Sequence, residues 1–218
     1  MKCLLSILLV LGLAGPASAE TFRVLLGDRQ LGTLTYTDGP TRRLDTTLDN
    51  TPLNVFNGKF TGSSRPTDAS RTFIGISKST RKSRTVTVQI AEGRASSTLI
   101  EPSSEQTELS DPAVVPVGII DPVSAIGRLL TAQGCPETIR IYDGRRVITL
   151  TPTRSKIQDE TLTCTIKYTV TDGPGHLSPL RISNATMRLT YAGYSTVQDL
   201  RQIALKSGIF GLTLDRAD

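Results

Sequence analysis

The sequence predicts a mainly β fold: a curved antiparallel sheet, forming a half-barrel or an incomplete barrel, with one short α-helix packed on it. Over residues 85–90, valine and isoleucine alternate with threonine and glutamine, which is typical of a strand with one covered and one wet face. Turn signals such as Gly27-Asp28 and Asp38-Gly39 separate short apolar runs. A clear helical period of apolar residues occurs only after Asp121.

The first half of the chain should be a strand meander. Strands are predicted at 22–26, 31–36, 42–48, 72–76, 85–90 and 94–100. Another hairpin is predicted over Thr51 to Gly62, around Asn57-Gly58. The polar segment Ser63 to Ser70, which contains Pro66, is expected to be a loop, and Glu101 to Ser110 a mobile connector.

A helix is predicted to begin with Asp121 as its N-cap and Pro122 at its first position. Its apolar face is formed by Val123, Ile126, Leu129 and Leu130. Gly134 should end it. We expect this face to lie on the concave side of the sheet.

The second half returns to strands. Residues 137–142 and 145–151 flank Asp143-Gly144, a strong signal for a two-residue hairpin turn. Further strands are predicted at 161–170 and 180–191. In the tail, residues 200–204 would suit a helix and residues 205–214 a hairpin around Ser207-Gly208, and we expect the hairpin.

Residues 1–19 have the order of signals found in a secretory signal peptide. Lys2 precedes an apolar run from Leu4 to Leu13, which is too short to span a bilayer. Pro16 and Ala17-Ser18-Ala19 follow. We therefore expect cleavage between Ala19 and Glu20, rather than a buried N-terminal helix, and a periplasmic location.

The remaining chain, residues 20–218, is expected to be a single β-rich periplasmic domain. It contains no apolar segment long enough to cross a membrane. Loss of Cys3 with the signal leaves Cys135 and Cys164, which in an oxidising compartment predict a disulfide. A redox-active pair is the alternative, but such pairs usually occur as Cys-x-x-Cys at a helix start, and these two fall on separate predicted strands.

The charge is mildly positive, with 25 Lys and Arg against 20 Asp and Glu, and Trp is absent. This composition argues against a nucleic-acid binder, which would present a basic face with aromatic platforms. The candidate contacts for an anion or a partner are Lys78, Arg81, Lys82, Arg84, Arg145 and Arg146. They would meet anionic lipid head groups or a partner protein. In the alternative interpretation they are charged residues of solvated hairpins.

No catalytic, metal-binding or cofactor-binding constellation is predicted. His176, the one histidine, follows a Gly-Pro-Gly sequence and is expected to be a polar loop residue rather than a general base. The two cysteines are expected to be in the disulfide, so they supply no zinc ligands.

Several short motifs together resemble a known family. They are Leu31-Gly32-Thr33, Asp121-Pro122-Val123-Ser124, Tyr142-Asp143-Gly144-Arg145-Arg146 between two cysteines, and Gly173-Pro174-Gly175 leading to Pro179-Leu180-Arg181-Ile182. This arrangement resembles the bacterial exported proteins called domain of unknown function 3108, except over Arg154 to Asp159 and the tail. The resemblance implies a periplasmic β-sheet protein, loosely similar to the half-barrel carriers that hold an acyl chain between a curved sheet and covering helices. The family has no established site residues, so none carry over.

These observations predict a non-enzymatic periplasmic binding or scaffold protein for a lipid or another envelope component. If one short helix leaves part of the concave face uncovered, an apolar pocket remains. The alternatives are a protein–protein interaction module of the envelope and a hydrolase of envelope polymers that uses two carboxylates in a cleft. Whether the sheet closes into a barrel is left open.

Overall fold

Fourteen strands in the described part of the chain form one sheet, and one α-helix packs on it. The structure is a computed structural model that describes residues 18–51, 57–80, 82–176, 182–193 and 198–217. The elements are β1 (Ala19–Leu26), β2 (Arg29–Thr37), β3 (Arg42–Leu48), β4 (Gly58–Thr67), β5 (Ser70–Ser79), β6 (Ser83–Ala91), β7 (Arg94–Glu101), β8 (Ile119–Ile120), α1 (Pro122–Leu130), β9 (Ile139–Tyr142), β10 (Val147–Gln158), β11 (Thr161–Asp172), β12 (Asn184–Ala192), β13 (Asp199–Ser207) and β14 (Phe210–Arg216). The predicted mainly β fold class is confirmed.

The strand order shows how successive hairpins build the sheet. Each strand from β1 to β7 pairs antiparallel with the next, and so does each from β9 to β14. The two meanders join where β1 pairs with β14, with Phe22 opposite Arg216. Strands β7 and β8 form the two edges, and β8 pairs in parallel with β9.

The two edges of this sheet approach each other. The backbone N–H groups of Gly118 and Ile119 both donate to the carbonyl of Gly93, at 2.8 and 3.1 Å. Gly144 has a φ of 89°, and a Cβ there would lie 2.4 Å from Cγ1 of Val86. Glycine therefore permits both the backbone turn after β9 and its close approach to β6. The sheet is a nearly closed, barrel-like curl.

A buried hydrogen-bond network holds the N-terminus of α1 inside the curl. The Asp121 carboxylate accepts from the backbone N–H of Ser124 at 2.9 Å and from its hydroxyl at 2.6 Å. It also accepts from the hydroxyl of Ser64, on β4, at 2.8 Å. All three residues are buried. The predicted N-cap and N1 proline are thus confirmed, and the cap also anchors the helix to the sheet.

The helix ends earlier than predicted. Its last residue is Leu130, and the N–H and hydroxyl of Thr131 both donate to the carbonyl of Gly127, at 3.1 and 3.0 Å. Thr131 is the C-cap, and its backbone leaves the helical conformation with φ −101° and ψ 9°, so the helix ends ahead of Gly134.

Two apolar clusters lie inside the curl, and α1 contributes to both. Val123 packs into the cluster formed mainly by β2 to β7, and Leu129 into the cluster formed mainly by β1 and β10 to β14. The alternation predicted for residues 85–90 is confirmed, since Val86, Val88 and Ile90 are at most 7% exposed. The inward face of the sheet is therefore apolar, as the sequence pattern indicates.

The predicted disulfide between Cys135 and Cys164 is present, with Cα atoms 5.5 Å apart. Cys164 lies on β11 and is fully buried, as predicted for a strand residue. Cys135 does not lie on a strand; it belongs to the connection between α1 and β9. The bond ties the chain that leaves the helix to the wall of the sheet.

Two segments predicted as irregular are ordered parts of the fold. Ser63 to Ser70 was expected to be a loop, but β4 runs through to Thr67, because it pairs with β5 as far as Thr67 opposite Ser70. Pro66 is tolerated there because β4 extends past its last partner on β3 and has β5 as its single neighbour.

The segment Glu101 to Ser110, predicted as a mobile connector, is tied to the turn after β9. It contains two 3₁₀ turns, Ser103–Glu105 and Glu108–Ser110. The hydroxyl of Thr107 donates to the carbonyl of Arg145 at 3.0 Å, and the hydroxyl of Tyr142 donates to the carbonyl of Leu109. This segment therefore belongs to the wall of the curl.

The predicted hairpins have mixed outcomes. Around Asp143-Gly144 the connection has four residues instead of two, because Tyr142 pairs with Val147 and the Asp143 carboxylate accepts from two backbone N–H groups of the turn. The C-terminal hairpin is confirmed as β13 and β14, so the helical alternative is wrong. Of the hairpin around Asn57-Gly58, residues 52–56 lie outside the described residues, and β4 begins at Gly58.

Replacing both Cys135 and Cys164 with alanine should lower the free energy of unfolding by about 3–4 kcal/mol, because the bond closes a long loop in the unfolded chain. Urea denaturation with and without reductant measures the loss. A reductant should destabilise the native chain by a similar amount and leave the double variant unchanged. Equal stability of the native chain in both conditions would contradict a stabilising bond.

Candidate functional site

A cavity of about 420 Å³ lies between α1 and the two meanders of the sheet, β1 to β7 and β9 to β14. Its lining residues come from α1, from strands β3 to β6 and β9 to β12, and from the turn after β9. This volume lies in the lower part of the range of about 300–1,000 Å³ found for small-molecule pockets. The interior of the curl is therefore not completely filled by its own side chains.

Part of the cavity lining is apolar and buried. It includes Phe73 of β5, Ala125 and Leu129 of α1, and Leu150 of β10. Each of these residues is at most 2% exposed. They line the same cavity because alternate residues of each strand point inward and the capped helix is held over them.

Another part of the cavity lining is charged and partly exposed. It consists of Arg84 of β6 and of Asp143, Arg145 and Arg146 of the turn after β9. Their side chains keep between 8% and 26% of their exposure. We call this set the polar end of the cavity.

Glu105 organises the cations of the polar end. Its carboxylate lies 2.9 Å from Lys82 Nζ, 3.0 Å from Arg84 Nη1 and 3.4 Å from Arg145 Nη2. Nε of Arg145 also donates to the Glu105 carbonyl at 2.7 Å. The hydrogen bond from Lys82, opposed by burial and helped by the charge of Arg145, lowers the pKa of Glu105.

The cations at this end outnumber the carboxylates. Lys82, Arg84 and Arg145 share Glu105, and Arg146 pairs with Asp143 at 3.0 Å. Burial first, and then the charge of Arg84, lower the pKa of Arg145. The polar end therefore carries excess positive charge beside an apolar space.

Arg146 connects this cluster to the histidine. It is 7% exposed, and its Nη1 lies 2.9 Å from Nδ1 of His176. A guanidinium can only donate, so Nδ1 accepts. Burial, together with the charge of Arg146, lowers the pKa of His176 to about 4. The ring is therefore neutral near pH 7 and carries its proton on Nε2.

The proton on Nε2 of His176 fixes the role of Tyr168. The Tyr168 hydroxyl lies 2.5 Å from Nε2 and accepts its hydrogen bond. Burial raises the pKa of Tyr168, so the hydroxyl keeps its own proton. Among the described residues no acceptor contacts that proton, and Tyr168 lines the cavity. Its hydroxyl is thus a free donor in the cavity wall.

The candidate anion contacts from the sequence separate into groups. Arg84, Arg145 and Arg146 line the cavity, and Lys82 joins them through Glu105. Lys78 is exposed and is not part of the lining. Arg81 lies outside the described residues.

Sequence reasoning missed Glu105, Tyr168 and His176 as site residues. Glu105 falls in the segment expected to be mobile, and no local pattern marks it. Tyr168 has the same parity as the buried Ile166 and Cys164 of β11, so the alternation could have indicated a polar tip on the inward face. His176 was predicted to be an ordinary loop residue but is half-buried and bonded through both ring nitrogens.

Two other hollows are lined by more polar residues. One, of about 400 Å³, lies near Arg71, Asp121 and Arg128, and another, of about 580 Å³, near Thr131 and Arg216. Neither has as large a share of apolar lining residues as the cavity of about 420 Å³, so that cavity is the candidate site.

Comparison of the chain with known protein families, with curated proteins and with solved structures finds no match. No helix in the part of the chain that the structure describes is long and apolar enough to span a membrane. Within that same part, no group of three or more His, Cys, Asp and Glu residues is placed to hold a metal ion.

The signal of the one histidine should report the contact with Arg146 directly. Its ring resonances in a nitrogen-15 NMR titration should stay those of a neutral imidazole down to about pH 5 and titrate near pH 4. Because the unfolded state binds this proton more readily, His176 should reduce stability as the pH falls from about 6.5 to 4.

Two measurements check this linkage. His176→Gln should show a weaker loss of stability than the native chain over the same pH interval. A native-chain titration midpoint at the ordinary histidine value would contradict the buried contact.

Proposed function

We propose that this protein binds a lipid or another apolar ligand non-covalently in the cavity, as a binding or scaffold protein of the bacterial envelope. The observation that carries the proposal is the hollow of about 420 Å³ between α1 and the apolar face of the sheet. Water in such a space is displaced favourably by an apolar ligand, at about 25 cal/mol per Å² of apolar surface removed from water.

The length of α1 explains why the hollow exists. Nine residues of helix span about 13–14 Å, which is short for the inner face of a fourteen-stranded curl. Two of the α1 residues that line the cavity, Pro122 and Ala125, have small side chains. The helix therefore covers one side of the space and does not fill it.

The polar groups at the cavity favour binding over hydrolysis. Both ring nitrogens of His176 are engaged, one by Arg146 and one by Tyr168. Asp143 is engaged by the N–H groups of its own turn and by Arg146. A general acid–base pair would need a group able to exchange a proton with a substrate. These contacts instead hold charges and donors in fixed positions.

We place this function in the periplasm and group the chain with the family called domain of unknown function 3108. The signal-like order of residues 1–19 and the short motifs described above support these proposals. The disulfide between Cys135 and Cys164 also supports an oxidising compartment.

Protein purified from a bacterial periplasm should carry a bound lipid, which mass spectrometry of an organic extract detects. Ala125→Leu, which adds apolar volume to a residue that lines the cavity, should at least halve the amount of extracted lipid.

The control for this variant is Ala204→Leu, the same change on the outer face of β13, opposite Arg188. It should leave the extracted lipid unchanged, with thermal melts confirming that both variants fold. Absence of lipid from the native protein would contradict this proposal. If cross-linking also captured one envelope protein, the chain would instead be a protein–protein interaction module.

The N-terminus offers a separate test of the location. Expression in a bacterium with an intact export system should give protein whose intact mass begins at Glu20, because the small residues before it suit signal peptidase. Ala17→Leu combined with Ala19→Leu should block processing, so that the full-length mass accumulates. Unprocessed native chain in the cytoplasmic fraction would contradict the periplasmic proposal.

A further inference from the structure

We propose that the ligand of the cavity is a single-chain amphiphile with an anionic head group, of the fatty-acid type, whose head lies against Arg145, Arg146 and Tyr168. This inference rests on the proposed binding function and adds the chemical class and the orientation of the ligand. Three observations support it: the charge at the polar end, the hydrogen-bond roles of its groups, and the volume of the cavity.

The charge at the polar end favours an anion. Four cationic side chains share the carboxylates of Glu105 and Asp143. Arg145 and Arg146 line the cavity with side chains only 18% and 8% exposed. Interactions between charges are screened less here than on an open surface. A negatively charged head would relieve the repulsion among these cations, whereas a neutral or cationic head would not.

The hydrogen-bond roles favour an acceptor. Nη1 of Arg146 is engaged by His176, whereas Nε lies 3.0 Å from the Asp143 carboxylate as an ion pair without hydrogen-bond geometry, so Nε and Nη2 both lack a hydrogen-bond partner among the described residues. Tyr168 accepts from His176 and keeps its own proton for another acceptor. The carboxylates nearby are already occupied by cations and by backbone N–H groups. The groups left free at this end of the cavity are donors, and a carboxylate or phosphate offers only acceptors to them.

The volume favours one apolar chain. Beside the charged groups, the same cavity is lined by the apolar residues Ile148 and Met187 and by the buried residues Phe73, Ala125 and Leu129. A cavity of about 420 Å³ is at the small end of ligand pockets, which suits one acyl chain better than the two chains of a membrane phospholipid.

Isothermal titration calorimetry with dodecanoate and dodecan-1-ol tests the proposal, because the two probes share a chain and differ in the charge of the head. Delipidated native protein should bind dodecanoate at least about tenfold more tightly than the alcohol. Arg145→Gln should abolish most of that preference by weakening dodecanoate alone. Tyr168→Phe should also weaken dodecanoate, by a smaller factor.

Matched controls separate the site from general effects. Tyr191→Phe removes a hydroxyl that bonds the carbonyl of Leu129 and does not line the cavity, so it should leave the preference intact. Arg23→Gln removes the charge of an exposed arginine on β1, so it should also leave the preference for dodecanoate intact. Inorganic phosphate and acetate, which carry the charge without the chain, should bind far more weakly than dodecanoate.

The outcomes distinguish this inference from the proposed function. Equal affinity for dodecanoate and dodecan-1-ol would overturn the anionic head group and leave apolar binding standing. Binding of neither probe would overturn both. A preference for dodecanoate that survives in both Arg145→Gln and Tyr168→Phe would overturn the assigned position of the head. Phosphate binding as tight as that of dodecanoate would show an anion site without an apolar chain, which also overturns the proposal.

Discussion

The interior of this protein depends on where α1 lies, and one buried carboxylate sets that position. Asp121 accepts hydrogen bonds from Ser124 on the helix and from Ser64 on β4, and all three residues are buried. A buried carboxylate is tolerated only when such donors surround it. Because its donors come from two elements, the helix cannot slide along the sheet without leaving a charge unpaired. The same contacts fix one wall of the cavity.

A close approach at Gly62 then sets how near the helix lies to β4. A Cβ on Gly62 would lie 2.9 Å from Cγ2 of Val123, so a side chain there would push α1 away from β4. With glycine in place, the helix packs closely on β4. The hollow beside the helix is lined by Phe60 of β4 and Phe73 of β5 as well as by Ile148 of β10 and Met187 of β12. A short helix held close to β4 therefore leaves space between the two halves of the sheet.

The local features of the fold were predictable, and the site was mostly not. The alternation over residues 85–90, the Asp121 cap and the final hairpin each depend on a few neighbouring residues, and the sequence shows them. Glu105 meets Arg145 because the two edges of the sheet approach each other, and no local pattern encodes that closure. Closure of the curl also explains why the polar segment Glu101 to Ser110 is ordered, since Thr107 and Leu109 find their partners in Arg145 and Tyr142.

The carboxylates at the polar end position the arginines without cancelling their charge. Asp143 caps the turn through two backbone N–H groups and pairs with Arg146, and Glu105 binds Arg145 through both its carboxylate and its carbonyl. Ordering a flexible side chain on binding costs about 0.5–1.5 kcal/mol. Here that cost is met during folding, when the guanidinium groups are fixed beside the apolar space. A fixed cation next to an apolar cavity selects ligands that carry both an apolar chain and an anionic head group. A flexible arginine on the surface would bind anions with or without such a chain.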